Sequence, residues 1–308
     1  MPTPDERTAA FSAERARQLL RLVRIQRGAI QEILKQLDIA QKAITAQLAG
    51  VTDALTRQRL QAVQQDIARV MQTFRAAAEG SAIAGSQAAW HAGTEMLTAP
   101  LAAGGLAFTT RIDPRALSAL QGALTHLLAD VSTATINRIN AQLAQVIIGT
   151  QTASNAISEV QRLLNSARQR AKTIVYTELG RIYATATQAS MEDAAKRLPG
   201  LRKRWVKSGK LHPRPEHVAA HGQLRGVNEP FEIAGEALLY PRDPAGSAGN
   251  TINCGCLSIP VTDGSTWGAS TVHLDTQQAG GAVTRAPRVV QEADGLLAGQ
   301  LDDLEGPN

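Results

Sequence analysis

The sequence contains few aromatic side chains. Phe, Trp and Tyr make up 3% of the 308 residues, and alanine supplies much of the 44% hydrophobic content. Large side chains contribute most of the buried area in a protein core. An alanine-rich chain with few aromatics therefore favours extended helices with thin contacts, which gain stability from a partner surface.

The chain also lacks a long apolar run and has only two cysteines. No stretch approaches about 18 apolar residues, so we expect no membrane span. The N-terminal sequence MPTPDERTAAF has no basic region followed by an apolar one, so we expect no secretory signal. Cys254 and Cys256 are separated by one residue, which is too tight for an ordinary disulfide. We therefore expect reduced thiols.

Acidic residues outnumber basic ones only at the C-terminal end. The formal net charge is +5, but residues 261–308 carry seven acids against two arginines. The remainder of the chain is therefore strongly basic. A basic balance suits a polyanion such as nucleic acid, although it is also common in proteins that bind none.

Helical periodicity dominates the first two thirds of the chain. Apolar residues at spacings of three, four and seven predict a helix over 5–50 and a second that Thr52 or Asp53 caps and that ends near Glu79. Glycines and a proline over 80–110 predict a short helix around Trp90 and then a loop. The stretch DPRALSAL predicts a helix that starts at Asp113 and Pro114. That helix is predicted to end near Ile148, and two further predicted helices cover about 153–165 and 167–197.

The character of the sequence changes at Pro199. Residues 199–260 hold seven of the 13 prolines, and RKRWVKSG, EPFEIAG and CGCLSIPV are typical of short strands. We predict an α+β fold with a long-helix N-terminal part, a small loop-rich module and an acidic, weakly ordered tail. The predicted domains are a helical assembly region, the module and the tail, at 1–165, 166–260 and 261–308.

Two histidines and the two cysteines form a candidate metal site. Zinc prefers four soft or borderline ligands in a tetrahedron, and four such ligands would make the site structural. The alternative is a hydrogen-bonded loop in which the cysteines are small core residues. HVAAH is not a zinc-protease HExxH motif, because Val218 occupies the position of the Glu. The candidate ligands are His217, His221, Cys254 and Cys256.

A basic run surrounds Trp205. Lysine and arginine make most phosphate contacts, and an aromatic ring can stack on a base. The alternative is a solvated basic face with Trp205 as a core residue. The candidate DNA-binding residues are Arg202, Lys203, Arg204, Lys207 and Lys210.

The segment from about Ala167 to Pro260 resembles the phage head morphogenesis family, the Mu F-like minor head proteins. The resemblance lies in the order and spacing of several short motifs. Tyr176 and Gly255 depart from it, since each stands where the family usually has an arginine. The matching motifs are RAKTIVYTELGRIYATATQAS, KRWVKSG, RPEHVAAHGQ, EPFEIAGEALLYPRDPAG and NTINCGC.

The resemblance implies a minor capsid protein of a tailed phage or prophage, without enzymatic activity, that acts in head assembly. It would lie in the virion, inside the head near the portal, and in the host cytoplasm during assembly. Its expected partners are the portal, the major capsid and scaffold proteins, with double-stranded DNA as a candidate and no membrane. No cofactor is expected beyond a candidate structural zinc. The residues that match the family's polar set, and that we expect to anchor the module, include Glu178, Arg214, His217 and Asn253.

A second hypothesis is a nucleic-acid-processing or toxin-like effector enzyme that is delivered with the genome. In this hypothesis His217 or His221 would act as acid or base, and Arg214 would stabilise an anion. The sequence fixes no geometry for these three residues. The first hypothesis, a head-assembly protein, assigns no catalytic residue.

Overall fold

The computed structural model describes residues 2–49, 51, 57–262 and 267. Six helices and five strands follow one another along these residues. The four long helices are α1 to α4, over Pro4–Leu48, Arg57–Ala103, Pro114–Ile147 and Ala153–Ala195. The shorter elements, in chain order, are β1 (Arg202–Val206), α5 (Pro215–Ala219), β2 (Leu224–Gly226), β3 (Phe231–Ile233), β4 (Glu236–Leu238), α6 (Ala248–Thr251) and β5 (Leu257–Val261).

Local capping explains where two of the long helices begin. At the start of α1, the backbone N–H of Thr3 donates to the carboxylate of Glu6 at 2.7 Å, and the Glu6 N–H donates back to the Thr3 hydroxyl at 3.3 Å. This reciprocal pair is a capping box. At the start of α3, Asp113 accepts the backbone N–H of Arg115 at 2.9 Å, and Pro114 is the first helical residue. The predicted starts of both helices are therefore confirmed to within one residue.

The predicted break after Glu79 is wrong, because α2 continues to Ala103. The glycines in this stretch allow close packing and do not end the helix. A Cβ on Gly93 would lie 2.4 Å from the carbonyl oxygen of Tyr183, so only glycine permits this approach. Pro100 lies in the last turn, and Gly105, at a φ of 82°, follows the end of the helix. The predicted caps Thr52 and Asp53 lie outside the described residues.

The predicted break between residues 165 and 167 is also wrong. A single helix, α4, runs through this point. Its buried residues Leu163, Leu164, Ala167 and Ala171 continue one apolar stripe at helical spacing, so nothing interrupts the helix here.

The chain divides into two compact units. The first, which we call the helical unit, consists of residues 26–86 and 118–178. Its buried side chains are mostly aliphatic, such as Ile33, Ile67 and Leu143. A few polar groups are satisfied inside it, since the hydroxyl of Ser132 donates to the carbonyl of Met71 at 3.2 Å.

The second unit, which we call the mixed unit, consists of residues 1–25, 87–117 and 179–308, as far as these are described. It contains all five strands. A three-stranded antiparallel sheet has the order β2-β1-β5, with Arg202 of β1 paired to Gly226 on one side and to Val261 on the other. Strands β3 and β4 form a separate hairpin, in which Ile233 pairs with Glu236.

An aromatic core holds the strands of the mixed unit. Trp205 of β1 is fully buried, and its ring meets those of Phe231 and His217 edge to face at 5.3 and 5.7 Å. Both cysteines belong to the same core cluster. The expectation that Trp205 is a core residue is therefore met, and the ring is not available to stack on a base.

The α+β fold with long N-terminal helices and a small strand-containing region is confirmed. The predicted division into three domains stays a prediction. Most of the acidic tail lies outside the described residues; Trp267 is described, and its indole N–H donates to the Thr8 hydroxyl at 2.7 Å. No described helix combines the length and apolar character that crossing a bilayer requires.

Candidate functional site

Helix α5 and the loop before β5 carry the side chains of the candidate site. Pro215 opens α5, where its fixed φ suits the first helical position, and His217 lies on the buried side of this helix. Asn253 has a φ of 54°, a left-handed conformation that Asn tolerates better than most residues. This turn leads the chain into Cys254 and Cys256 directly before β5.

The side chains of His217, Cys254 and Cys256 form a tight group, which we call the His–Cys cluster. Nδ1 of His217 lies 3.3 Å from Sγ of Cys256 and 3.5 Å from Sγ of Cys254. The three ligand atoms all lie within 4.8 Å of one another, and each residue is at most 2% exposed. The backbone N–H of Cys256 donates to Sγ of Cys254 at 3.4 Å. The cluster is therefore buried and convergent.

Asn250 determines which ring nitrogen of His217 faces the sulfurs as an acceptor. Its amide nitrogen donates to the carbonyl of Ile233 at 3.4 Å, which directs its Oδ1 at Nε2 of His217, 3.2 Å away. An amide oxygen only accepts hydrogen bonds, so Nε2 carries a hydrogen. Nδ1 then offers a lone pair to the two sulfurs whenever the ring is neutral.

The cluster separates the acidities of its two thiols. The hydrogen bond with Cys256, and then the one with His217, lowers the pKa of Cys254 well below its usual range, although burial opposes this. The bond with Cys254, together with burial, raises the pKa of Cys256 well above its usual range. Burial lowers the pKa of His217, but its hydrogen bonds with Cys254 and Asn250 outweigh burial and raise it. The arrangement favours one thiolate beside the imidazole.

A cleft of about 180 Å³ opens beside the cluster. Two of its cationic side chains are held by backbone and amide oxygens. Nζ of Lys210 donates to Oδ1 of Asn253 at 3.0 Å, and Nη2 of Arg214 donates to the carbonyl of Ile252 at 2.7 Å. These positive charges suit a water molecule or a small anion in the cleft. The side chains that line the cleft include Lys210, His212, Arg214, His217 and Cys256.

The structure brings together three of the four predicted metal ligands. His221, the fourth, lies outside the group that could hold an ion. Its Nδ1 instead accepts the backbone N–H of Lys207 at 3.3 Å. The four predicted ligands therefore do not converge as a set, and metal binding by the other three stays a prediction.

The predicted DNA-binding residues differ in how far their side chains are exposed. Arg202 is exposed, and Arg204, Lys207 and Lys210 are half-buried. Lys203 is fully buried, and its Nζ donates to a backbone carbonyl at 2.8 Å, so it cannot meet a phosphate; this part of the prediction is corrected. The alternation of side chains along a strand could have indicated this burial, because Lys203 and the core residue Trp205 lie on the same face of β1. Burial lowers the pKa of Lys203 to about 8.

The predicted polar anchors fall into both compact units. Arg214, His217 and Asn253 belong to the mixed unit and line the cleft. Glu178 belongs to the helical unit and is 5% exposed on α4. The anchoring roles of these four residues stay a prediction.

Sequence reasoning missed Arg242, which is 1% exposed and adopts a φ of 69°. Its Nη1 donates at 3.3 Å both to the carbonyl of Gly180 and to that of Cys256. A Cβ on Gly180 would lie 2.4 Å from Cζ of Arg242, so the glycine of the TELGR motif makes room for the guanidinium. Asn250 was missed too, because its contacts with His217 and with the carbonyl of Ile233 form only in the folded chain. Arg242 lies in the stretch YPRDP, which follows β4, and nothing in this local sequence indicates that the arginine is buried.

The chain is similar to known proteins over this region. Residues 137–259 match the family model described as phage Mu protein F like protein. The match begins within α3, upstream of the predicted module start at residue 166. No solved structure is similar to the chain.

Two curated relatives match about a third of the chain. The uncharacterized protein YqbB of Bacillus subtilis (strain 168) is 36% identical over 107 residues, which are 33% of this chain and 34% of that protein. NAD(+)--arginine ADP-ribosyltransferase EFV of Enterococcus faecalis (strain ATCC 700802 / V583) is 32% identical over 111 residues, which are 35% of this chain and 23% of that protein. This chain therefore spans only about a third and about a quarter of their lengths. The matched motifs and the family model agree that residues 137–259 are similar to the phage Mu protein F like family.

Proposed function

We propose that this chain is a minor head protein of a tailed phage or prophage and acts in head assembly. The observation that carries the proposal is the family match over residues 137–259. In this role the protein is a virion component that binds the portal protein and the capsid interior near it, and meets capsid and scaffold proteins during assembly in the host cytoplasm.

The surface of the helical unit supports a docking role. Ile39 of α1 is 55% exposed and Ile83 of α2 is 37% exposed, which is unusual for large aliphatic side chains on otherwise polar helices. Isolated exposed apolar residues are common on monomers, so each is only a candidate contact. They nevertheless give specific positions at which binding to a portal ring can be disrupted.

Co-sedimentation with purified portal rings and procapsids tests the proposal. The parent chain is expected to sediment with one of these assemblies, whereas a double Ile39→Lys, Ile83→Lys variant is expected to bind at least tenfold more weakly. Val218 is a matched control, because it is 40% exposed but lies on α5, and Val218→Lys is expected to bind like the parent. A folded parent chain that ignores both assemblies would contradict the proposal.

Packaged DNA is proposed as a further partner. Arg202 is exposed, and Arg204 and Lys207 are half-buried beside it on or next to β1. Charge neutralisation of phosphates makes affinity fall steeply with salt. We expect duplex binding to weaken in an Arg202→Ala, Lys207→Ala variant, with a shallower salt dependence. Salt-insensitive binding would count against this role.

A second candidate is an effector enzyme, which one relative's name favours. The ADP-ribosyltransferase EFV shares 32% identity with this chain, but over only 23% of its length. The name describes that whole protein, so the shared segment need not carry its activity. Purified chain would be assayed for NAD⁺ consumption and for nucleic-acid cleavage beside a His217→Ala variant. Activity in the parent that the variant loses supports the enzyme, and inactivity of the parent removes it.

A further inference from the structure

We propose that the His–Cys cluster binds a zinc ion through Nδ1 of His217 and Sγ of Cys254 and Cys256. The fourth coordination position lies at the adjacent cleft, where water or a small anion occupies it. Such a site has three protein ligands and one exchangeable ligand.

The separations of the ligand atoms fit zinc. Tetrahedral zinc with Zn–S of about 2.3 Å and Zn–N of about 2.05 Å places a sulfur and a nitrogen ligand about 3.6 Å apart. The two observed separations from Nδ1 of His217 are 3.3 and 3.5 Å. An ion could therefore enter with shifts of only a few tenths of an ångström in these two separations.

The neighbours of the cluster prepare its ligands for a metal. A metal-bound histidine usually donates its other ring N–H to an oxygen, and Nε2 of His217 has this partner in Oδ1 of Asn250. The backbone N–H of Cys256 donates to Sγ of Cys254, which stabilises a thiolate. These contacts fix the orientation of the His217 ring and of the Cys254 sulfur without a metal ion.

The donor set selects a soft or borderline ion. Two thiolates and one imidazole suit zinc, whereas magnesium and calcium require oxygen ligands. Among the described residues, the group contains no carboxylate. Two thiolates also neutralise the charge of a divalent ion, so the ion is not an unpaired charge in a buried place.

The cleft determines where the fourth ligand enters. His217 and Cys256 lie in its lining, and so does the exposed His212. Within the part of the chain that the structure describes, the group includes no fourth His, Cys, Asp or Glu, so solvent completes the shell from this side. Lys210 and Arg214 add positive charge there, so we infer that a small anion can replace the water.

Metal content and cobalt spectra test the site. Chain purified from zinc-supplemented medium is expected to hold close to one zinc per molecule. Cys254→Ser and Cys256→Ser should each lose most of it, and the control His221→Ala should keep it, because His221 lies outside the group. Chelator-treated parent chain would then be titrated with Co²⁺, which develops a thiolate charge-transfer band and the visible bands of tetrahedral cobalt. This arm needs no variant to fold.

The outcomes are decisive in each arm. Zinc in the parent at the level found in Cys254→Ser, or a cobalt spectrum without thiolate bands, overturns the metal site in favour of a hydrogen-bonded loop. Two thiols that stay unreactive after denaturation would indicate a Cys254–Cys256 disulfide and overturn it as well. Azide added to the cobalt protein should shift the visible bands, and less so in Lys210→Ala. An unchanged spectrum would show a closed shell and overturn the exchangeable fourth position.

Discussion

The two compact units are stabilised in different ways. The helical unit buries mostly aliphatic side chains such as Ile67 and Leu143, and Glu178 is the one buried charged side chain among its described residues. Its other charged side chains lie nearer the surface; that of Arg69, which pairs with Asp66, is 78% exposed. The mixed unit buries charged side chains, among them Lys203 and Arg242, each at most 1% exposed. The helical unit therefore depends on a repeated apolar pattern, and the mixed unit on a few specific polar contacts.

The largest expected effect comes from removing the buried guanidinium of the mixed unit. Arg242→Met keeps most of the side-chain volume but leaves the carbonyls of Gly180 and Cys256 without these donors. We expect the free energy of unfolding to fall by about 3 kcal/mol. Chemical denaturation followed by Trp fluorescence measures it. Arg69→Met is the matched control in the helical unit and should cause no measurable change. Equal effects of the two substitutions would remove the contrast between the units.

Glycine gives a paired test of the same contrast. Gly180→Ala in the mixed unit places a methyl group against the buried guanidinium of Arg242, and we expect a loss of about 2 kcal/mol. Gly122→Ala in α3 of the helical unit meets no atom within 4 Å, and we expect a gain of about 1 kcal/mol from helix propensity. Thermal denaturation of both variants checks the opposite signs. A gain at both positions would mean that Arg242 can move aside.

The same contrast explains how much of the fold could be predicted from the sequence. The starts of α1 and α3 follow from caps and apolar spacing, which are local signals. Gly180 and Arg242 meet across 62 residues, and no local pattern indicates that a glycine in a helix accommodates a distant arginine. The three cluster residues were identifiable by type. That His221 lies outside the cluster depends on the fold, in which its ring instead accepts the backbone N–H of Lys207.

Titration of Lys203 gives a smaller, pH-dependent effect. Burial lowers its pKa to about 8, below the value of about 10.4 in an unfolded chain. Between these two values the unfolded chain binds more protons at this site, so the free energy of unfolding rises with pH. We expect an increment on the order of 1 kcal/mol between pH 7.5 and pH 10. Lys203→Met should lack this increment, which denaturation at both pH values measures. A variant with the parent's pH dependence would contradict the assignment.

The hairpin turn between β3 and β4 gives the smallest expected effect and shows whether the mixed unit also contains local strain. Ala234 and Gly235 both have positive φ, at 53° and 79°, as in the turn type that favours Asn-Gly. Alanine has a Cβ that disfavours this conformation, so Ala234→Asn should raise the free energy of unfolding by about 0.5–1 kcal/mol. The control Gly235→Ala should lower it by about 1 kcal/mol. Thermal denaturation of both variants measures the changes. If Ala234→Asn gives no gain, the turn is relaxed, and the polar contacts around Lys203 and Arg242 alone distinguish the mixed unit from the helical one.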